Sequence, residues 1–261
     1  MKKIILPSIS IMVTEACSLK CKLCLAFVPY YKQHFHMNLQ ETKEVLNYLF
    51  QIVDQIDKLS ITGGEPLLNP DLCAIVEEIF QYSDKISQEI ILITNGTIKI
   101  SDKIIDILKL NRKVKVIVNN YGELSTYAEE NYMKLIQNNI NTILYTEDNR
   151  YGWIDCRNHE LKHMTKEACQ NQSSRCAFFQ GKKYVINRGV LYTCTRAAYR
   201  IQENIIECME DDFINLLEKN AGLDIMRAKL EKLLKAETTV SCAYCDGLTE
   251  QSVKYKAAEQ L

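Results

Sequence analysis

Three cysteines stand close together near the beginning of the chain and could bind a metal cluster. Cys17, Cys21 and Cys24 follow an apolar run over residues 9–13 and have C-x3-C-x2-C spacing. Thiolates spaced this closely on one loop can ligate three irons of a four-iron cluster, which leaves the fourth iron without a protein ligand. The next cysteine is Cys73, which this local spacing does not include. The motif therefore predicts an open coordination position, where a substrate or cofactor can bind.

A glycine-rich turn is the second chemical motif. Gly63-Gly64-Glu65-Pro66 follows a short strand predicted over residues 59–62. Glycines allow dihedral angles and close backbone approaches that side chains prevent. The Glu65 carboxylate can bind a cationic amine through charge-assisted hydrogen bonds. Taken alone, the four residues could equally form a plain turn.

Together the two motifs resemble those of the radical S-adenosylmethionine (SAM) superfamily. In that family SAM chelates the open iron, and the reduced cluster splits it into methionine and a 5′-deoxyadenosyl radical. The resemblance implies that Gly63, Gly64 and Glu65 hold the SAM amino group while Pro66 shapes the turn. Leu23 stands where the family usually has an aromatic residue and is expected to pack beside the cluster. The alternatives are a zinc site or unligated buried thiols.

Asn119 follows the fourth predicted strand. The resemblance implies that it contacts the ribose of SAM, because family members often have a polar residue there. A turn residue at the strand end is the alternative. The glycine-rich motif of strand five in many members is not recognisable here, so the adenine contacts are left open.

Four further cysteines form a second group. Cys176 precedes a predicted hairpin, Cys194 follows it in a G-x4-C pattern, and Cys242 and Cys245 form a C-x2-C pair. Their order resembles the twitch appendage of the same superfamily, a shortened SPASM domain that binds one auxiliary 4Fe–4S cluster. A four-cysteine zinc site is the alternative. The other cysteines are expected to be buried or incidental thiols, with Cys169 a conceivable replacement ligand: Cys73, Cys156, Cys169 and Cys208.

The motif His159-Glu160-Leu161-Lys162-His163 matches the H-E-x-x-H pattern of zinc metalloproteases. Its flanking residues are polar, and no strongly apolar helix carries it. We interpret it as a solvated helix that joins two parts of the chain.

The elements that must position these motifs alternate between strand and helix. Such alternation with short connections predicts an α/β fold, a partial TIM-like (β/α) barrel of five or six units whose motifs lie at the carboxyl ends of strands. A capping box at Asn38 and Glu41 predicts the start of one helix, and Asn69-Pro70 predicts the start of the next. The predicted domains are a radical SAM partial barrel over residues 1–155 and a twitch-like auxiliary iron–sulfur domain over residues 156–261.

Composition excludes several classes of protein. The 261 residues are 47% hydrophobic with a net charge of −1, which disfavours disorder and a nucleic-acid-binding surface. No apolar run is long enough to span a bilayer, and no signal-peptide cleavage site follows the N-terminal residues. An odd count of eleven cysteines in tight groups suits metal binding in a reducing cytoplasm better than disulfides.

Charged residues near the expected domain boundary could orient a polar substrate. Arg157 is the predicted catalytic residue; for the others, a surface position is the expectation. The aromatic loop over residues 27–36 is expected to shield the cluster or to line a substrate pocket. The other charged residues of this group are Arg150, Asp155, Arg188 and Arg196.

In length, cysteine order and ligand spacing the chain is similar to twitch-type dehydrogenases of the superfamily, such as the one acting on 2-deoxy-scyllo-inosamine. That similarity implies oxidation of a small polar substrate, an aminocyclitol or sugar alcohol, with the auxiliary cluster as electron acceptor. It also implies an external low-potential donor such as flavodoxin or ferredoxin. The alternatives are a peptide maturase that forms thioether or carbon–carbon links, and a non-catalytic iron–sulfur electron carrier.

Overall fold

A single eight-stranded sheet runs through the protein, in the strand order β5-β4-β3-β2-β1-β6-β7-β8. The computed structural model describes residues 3–148, 152–218 and 222–261, so Arg150 lies outside the described residues. The strands are β1 (Ile5–Thr14), β2 (Gln55–Gly63), β3 (Ile86–Thr94), β4 (Val114–Asn119), β5 (Asn141–Tyr145), β6 (Lys183–Asn187), β7 (Val190–Tyr192) and β8 (Phe213–Asn215).

Strands β1 to β5 are parallel, and a helix connects each to the next. This confirms the predicted α/β fold with a mostly parallel sheet. Parallel strands place their carboxyl ends at one edge, where the cysteine loop follows β1 and the glycine turn follows β2. The connecting helices are α1 (Leu39–Ile52), α2 (Leu72–Phe80), α3 (Asp102–Leu108) and α4 (Ala128–Gln137).

The core explains why β1 is the centre of the sheet. Ile9, Ile11 and Val13 are fully buried in the main apolar cluster with residues of the helices. Met12, on the opposite face, is buried in a second cluster that includes Val185 of β6. Burial on both faces is typical of a parallel strand covered by helices, and each such side chain contributes about 1.5–3 kcal/mol.

The two predicted helix starts differ in outcome. Asn38 and Glu41 form the expected capping box at α1. The prediction that Pro70 occupies the first position of the next helix is wrong, because α2 begins at Leu72. The Asn69 amide instead donates to the carbonyl oxygens of Val13 (2.6 Å) and Met37 (2.8 Å). This side chain therefore ties the end of β1 to the segment before α1.

The C-terminal half continues the same sheet. Strand β6 pairs in parallel with β1, and β7 and β8 add antiparallel strands. The β6–β7 hairpin turns at Arg188 and Gly189, whose φ angles of 49° and 72° suit a two-residue turn. The helices of this half are α5 (Lys166–Ser173), α6 (Ala177–Gln180), α7 (Thr195–Gln202) and α8 (Leu223–Lys235).

The helix expected at the H-E-x-x-H motif is absent. Residues 159–163 form no helix, so His159 and His163 do not share a helical face. His163 Nε2 lies 3.1 Å from the Cys245 carbonyl oxygen, while His159 Nδ1 accepts a hydrogen bond from Arg200. Within the described ranges, no helix is both long and apolar enough to cross a bilayer.

Candidate active site

The cysteine loop after β1 encloses one side of a cavity of about 210 Å³. Cys17, Cys21 and Cys24 all line it, together with apolar residues that include Leu19 and Val28. The loop thus brings the three predicted ligands to one site at the carboxyl edge of the sheet.

Hydrogen-bond donors lie next to two of these sulfurs, those of Cys17 and Cys21. The Leu19 amide and the Asn95 side chain each donate to Cys17 Sγ at 3.5 Å, and Gln260 Nε2 donates to Cys21 Sγ at 3.4 Å. Burial raises the pKa of Cys17 to about 12 and that of Cys21 to about 11, so the thiols stay protonated without a cation beside them. A bound metal reverses this preference, because it ligates the thiolate.

The glycines of the turn serve contacts within the protein. A Cβ atom at Gly63 would collide with the Thr14 carbonyl oxygen, and one at Gly64 would collide with the Ala16 carbonyl oxygen. The Gly64 amide donates to Thr14 and the Glu65 amide donates to Ala16, both at 2.8 Å. The turn therefore fixes the first residues of the cysteine loop. Gly64 also lines the cavity.

Glu65 is fully buried, and its carboxylate is bonded within the protein. Oε1 accepts from Thr94 Oγ1 (2.9 Å) and the Leu67 amide (3.1 Å), while Oε2 accepts from the Asn95 amide (2.7 Å). Burial raises its pKa to about 7 despite these bonds. The side chain is not among the residues lining the cavity, so its binding of the SAM amine stays a prediction. What it does here is position Thr94 and Asn95, which do line the cavity.

Asn119 lines the same cavity at the end of β4. Its Nδ2 donates to the Thr94 carbonyl oxygen at 3.3 Å, which holds the side chain at the cavity wall. Asn119 thus lines the same cavity as Cys17, Cys21 and Cys24. Its contact with the ribose of SAM stays a prediction.

Sequence reasoning missed three polar or aromatic residues of this cavity. Asn95, Tyr121 and Trp153 line it, and the rings of Tyr121 and Trp153 meet edge to face with centroids 5.8 Å apart. Two signals in the sequence pointed toward them. Asn95-Gly96 ends the third strand as the glycine motif ends the second, and Trp153 is the single tryptophan.

The second cysteine set lines a separate small cavity of about 20 Å³. Cys176, Cys194 and the Cys242–Cys245 pair come from three places in the sequence, and all four cysteines line it. Cys194 is the N-cap of α7, where its sulfur accepts from the Ala197 amide at 3.5 Å. A helix N-terminus stabilises a thiolate.

The other three sulfurs of this set also have donors nearby. The Leu248 amide lies 3.5 Å from Cys176 Sγ, and the Gly247 amide lies 3.3 Å from Cys245 Sγ. The Thr239 hydroxyl is 3.6 Å from Cys242 Sγ. Donors to each sulfur suit cluster-bound thiolates, whose potential such bonds tune.

The two cavities are joined by packing and by one hydrogen bond. Cys24 and Cys194 pack against the same apolar cluster around Met12. Thr195, which follows Cys194, donates through Oγ1 to the carbonyl oxygen of Leu25, which follows Cys24, at 2.7 Å. The cysteine sets are therefore held in a fixed relation.

The aromatic loop over residues 27–36 contributes to the contact between the region of the first cysteines and that of the second. Phe27 and Tyr31 are buried, and Phe27 stacks on Tyr199 of α7 with ring centroids 4.5 Å apart. Val28 and Pro29 of the same loop line the first cavity. The aromatics thus cover the protein side of the loop, and the two smaller residues face the cavity.

A buried polar network forms a further contact, between the residue before the cysteine loop and the β6–β7 hairpin. Glu15, fully buried before the cysteine loop, accepts hydrogen bonds from Arg188 Nε (2.9 Å) and Nη2 (2.7 Å). Asn187 Nδ2 donates to Glu15, Tyr31 and Gln202 at 2.9–3.1 Å. The β6–β7 hairpin is thereby tied to the cysteine loop.

Of the remaining predicted residues, Leu23, Pro66 and Arg157 line neither cavity, whereas Arg196 lines the second. Leu23 is 5% exposed, and Pro66 is buried at the start of a short 3-10 turn. Arg157 pairs with Asp155 through Nε (2.9 Å) and Nη2 (2.6 Å) on the surface and lines neither cavity. Its catalytic role stays a prediction. The expectation of a surface position is wrong for Arg196, which is 2% exposed.

Both cysteine sets fit an iron–sulfur cluster in chemical type. Across the described ranges, no three or more His, Cys, Asp or Glu side chains are grouped so as to hold one metal ion. A four-iron cluster does not require such a group, because each cysteine binds a different iron. The thiols, their donors and the surrounding apolar side chains are what a cluster needs.

Comparison with known proteins agrees with this geometry. Residues 11–140 match the family model described as the radical SAM superfamily. A GTP 3′,8-cyclase of Nautilia profundicola is 33% identical over 89 residues, which is 34% of this chain and 27% of the relative. An S-adenosylmethionine-dependent nucleotide dehydratase of Selenomonas ruminantium is 24% identical over 149 residues, 51% of this chain and 52% of the relative. The chain thus spans between a quarter and about half of these relatives.

Solved structures share the fold across most of the chain. BtrN in complex with AdoMet and 2-DOIA has a TM-score of 0.58 and 15% identity, and the match covers 98% of this chain and 99% of that one. Native anSMEcpe with bound AdoMet has a TM-score of 0.57 and 12% identity, with 91% and 82% covered. At these identities the likeness concerns the fold. The match to the radical SAM superfamily model concerns residues 11–140, about half of the chain, and these solved structures show the shared fold.

Proposed function

We propose, from the radical SAM match of residues 11–140, that this chain is an enzyme that cleaves SAM reductively and oxidises a small polar substrate. The substrate class we favour is an aminocyclitol or sugar alcohol. The observation that carries the proposal is the sorting of seven cysteines into two cavities, three at one and four at the other. Three thiols leave an iron open for SAM, whereas four complete a cluster that only exchanges electrons.

In the first cavity, Cys17, Cys21 and Cys24 would hold the SAM-binding 4Fe–4S cluster. Gly64, Asn95 and Asn119 line the wall next to them and would bind polar groups of SAM. Tyr121 and Trp153 offer aromatic surface to a ring or to the substrate. When bound, cluster and SAM supply the 5′-deoxyadenosyl radical that removes a hydrogen atom from the substrate.

Oxidation of an alcohol then requires two further losses from the substrate. The carbon radical gives up one electron, and its hydroxyl gives up a proton, to leave a ketone. The net change converts SAM and the alcohol into methionine, 5′-deoxyadenosine, the ketone and a proton. Cys176, Cys194, Cys242 and Cys245 would hold the electron acceptor, an auxiliary 4Fe–4S cluster, beside the apolar cluster that Cys24 also contacts.

The electron that starts each cycle has to come from outside the chain. An external low-potential carrier of the flavodoxin or ferredoxin class supplies it, and a carrier of the same class removes the electron left on the auxiliary cluster, so that the cycle closes. The cysteine usage suits a reducing cytoplasm. A domain division near residues 155 and 156 remains part of the proposal, with the twitch-like region contributing the second set.

The test is iron and sulfide content after anaerobic reconstitution, measured with SAM cleavage under a low-potential reductant. We expect about eight irons per chain in the wild type and about four in each of two matched triple variants. Cys17→Ala/Cys21→Ala/Cys24→Ala should lose cleavage, and Cys176→Ala/Cys242→Ala/Cys245→Ala should retain it. Only about four irons in the wild type, with zinc present, would overturn the electron-acceptor proposal.

The substrate is tested in the same preparations. Polyols and aminocyclitols should increase 5′-deoxyadenosine formation and yield a carbonyl product in equal amount. Incorporation of deuterium from the oxidised carbon into 5′-deoxyadenosine would identify the abstracted hydrogen. Turnover of cysteine-containing peptides, with no polyol oxidised, would contradict the small-substrate proposal.

A further inference from the structure

Arg196 is a buried cation in the wall of the second cysteine cavity. The side chain is 2% exposed and lies on α7, directly after the Cys194 N-cap region. Nη2 is 3.8 Å from Cys176 Sγ, and Nη1 is 3.7 Å from Cys156 Sγ. Nε has no hydrogen-bond partner, and no ion pair joins Arg196 to a carboxylate anywhere in the described residues. The guanidinium therefore has sulfur neighbours and no oxyanion.

Arg200, one helical turn later, shows that this arrangement is not a general feature of α7. Its Nε donates to His159 Nδ1 at 3.1 Å. Its Nη groups donate to the carbonyl oxygens of Ser241 (3.0 Å), Tyr244 (2.8 Å) and Asn158 (3.4 Å). Arg200 is thus a satisfied structural residue that holds the Cys242–Cys245 segment. Arg196 lacks any comparable set of oxygen acceptors.

A buried cation without a counter-ion is costly, so the site needs a negative charge. The side chains around Arg196 that could carry a negative charge are cysteines: Cys156 and Cys176 lie nearest to its guanidinium, and Cys194 and Cys245 line the same cavity. Phe178 covers one face of the guanidinium, with the Cζ atom 5.1 Å from the ring centroid, and excludes water there. A desolvated positive charge thus lies in the wall of the cavity that the four cysteines of the second set line.

We propose that Arg196 sets the reduction potential of the auxiliary cluster and makes it the better electron acceptor of the two. A cluster held by four thiolates is an anion, and it becomes more negative when it gains an electron. A cation buried beside it favours the reduced form and raises the potential. The inference rests on the proposed auxiliary cluster. The reaction it assists is the transfer of one electron from the substrate carbon radical, whose hydroxyl proton leaves at the same stage.

The experiment compares midpoint potentials of both clusters by redox titration followed by electron paramagnetic resonance. Arg196→Met removes the charge at similar length, and Arg196→Lys keeps it. Arg175→Gln is the matched control, because Arg175 adjoins Cys176 in sequence but is exposed to screening solvent. Iron content is measured first on each protein.

We expect Arg196→Met to lower the potential of the auxiliary cluster by at least about 59 mV, a tenfold change in a one-electron equilibrium constant. Arg196→Lys should restore most of the difference, while Arg175→Gln and the SAM-binding cluster should change by much less. Equal potentials in wild type and Arg196→Met, with about eight irons in both, would overturn the proposed role of Arg196 and leave the proposed function standing. About four irons in the wild type would overturn the proposed function, and the assignment with it.

Thermal unfolding supplies a second readout if Arg196→Met binds its cluster poorly. In cluster-free protein Arg196 is an unpaired buried charge, so Arg196→Met should raise Tm. In reconstituted protein the same substitution should lower Tm relative to wild type. A change of the same sign in both forms would contradict a pairing between Arg196 and the cluster.

Discussion

The first cysteine set lies on one loop beside a cavity of about 210 Å³, whereas the second is gathered from distant segments around a cavity of about 20 Å³. Cys17, Cys21 and Cys24 leave room for a molecule of some size next to their sulfurs. The four cysteines of the second set have two phenylalanines, Phe178 and Phe179, and a buried arginine against them. An open site suits binding and chemistry, and a closed one suits electron storage.

The two sets also differ in how their surroundings act on charge. Near the first set, two acidic residues are buried: Glu65 bonds to backbone amides and a hydroxyl at the cavity wall, and Glu15 pairs with Arg188. Near the second set, Arg196 and Arg200 are both buried, and of the two Arg196 contacts cysteine sulfurs. In the proposed two-cluster enzyme, the cation Arg196 would raise the potential of the auxiliary cluster, which is the direction that electron flow from the substrate requires.

The largest expected effect comes from Gly64→Ala, which breaks the first set and leaves the second. The added Cβ would collide with the Ala16 carbonyl and crowd Cys17, so the cysteine loop has to move. We expect iron content to fall from about eight to about four per chain and SAM cleavage to be lost. The auxiliary-cluster signal should persist.

The matched control for this substitution is Gly222→Ala, where no heavy atom lies within 4 Å of the added carbon. It should retain both clusters and change the free energy of unfolding by less than about 1 kcal/mol. Full cleavage activity in Gly64→Ala would show that the contact between the glycine turn and the loop is not required.

A pH effect of intermediate size is expected from Glu65. Its pKa is raised from 4.5 to about 7 in the folded protein, so folded protein binds more protons than unfolded protein in this interval. Stability from this group is complete below about pH 4.5 and decreases as pH rises to about 7, by about 3 kcal/mol. Urea unfolding of cluster-free protein should show this slope in the wild type and lack it in Glu65→Gln. An equal slope of the unfolding free energy against pH in both proteins would contradict the role of Glu65.

The smallest expected effect concerns Gln260, which donates to Cys21 Sγ at 3.4 Å and accepts from the Lys20 amide at 2.7 Å. Loss of one hydrogen bond to a ligand sulfur makes reduction less favourable. Gln260→Ala should lower the potential of the SAM-binding cluster by less than about 59 mV, and leave the auxiliary cluster unchanged. Lys254→Ala, at an exposed position in the same segment, is the control. A shift in the potential of the auxiliary cluster instead would contradict the assignment of Cys21 to the SAM-binding cluster.

Much of the fold followed from the sequence because its signals are local. The apolar β-branched runs gave the five parallel strands, and the Asn38–Glu41 capping box gave the start of α1. The start of α2 was misplaced because Asn69 bonds across the structure to Val13 and Met37. Partners so far away in sequence leave no local pattern.

The residues of the site likewise divide into those that the local sequence predicts and those that only folding brings together. Cys17, Cys21 and Cys24 could be grouped by spacing alone. The environment of Arg196 could not, since its burial depends on α7 packing against segments near residues 176 and 245. Gln260 reaches Cys21 across 239 positions of sequence, and Trp153 meets Tyr121 only once the chain has folded back.

The parallel pairing of β6 with β1 bears on how the polypeptide can be divided. A fragment that ended near residue 155 would leave the backbone groups of Ser8–Ile11 without the neighbours that Lys183–Ile186 provide. It would also leave the Glu15 carboxylate buried without Arg188. An exposed central strand of apolar residues is a template for aggregation. Substitutions in the second cysteine region should therefore be tolerated more readily than its deletion, because β1 depends on the pairing with β6.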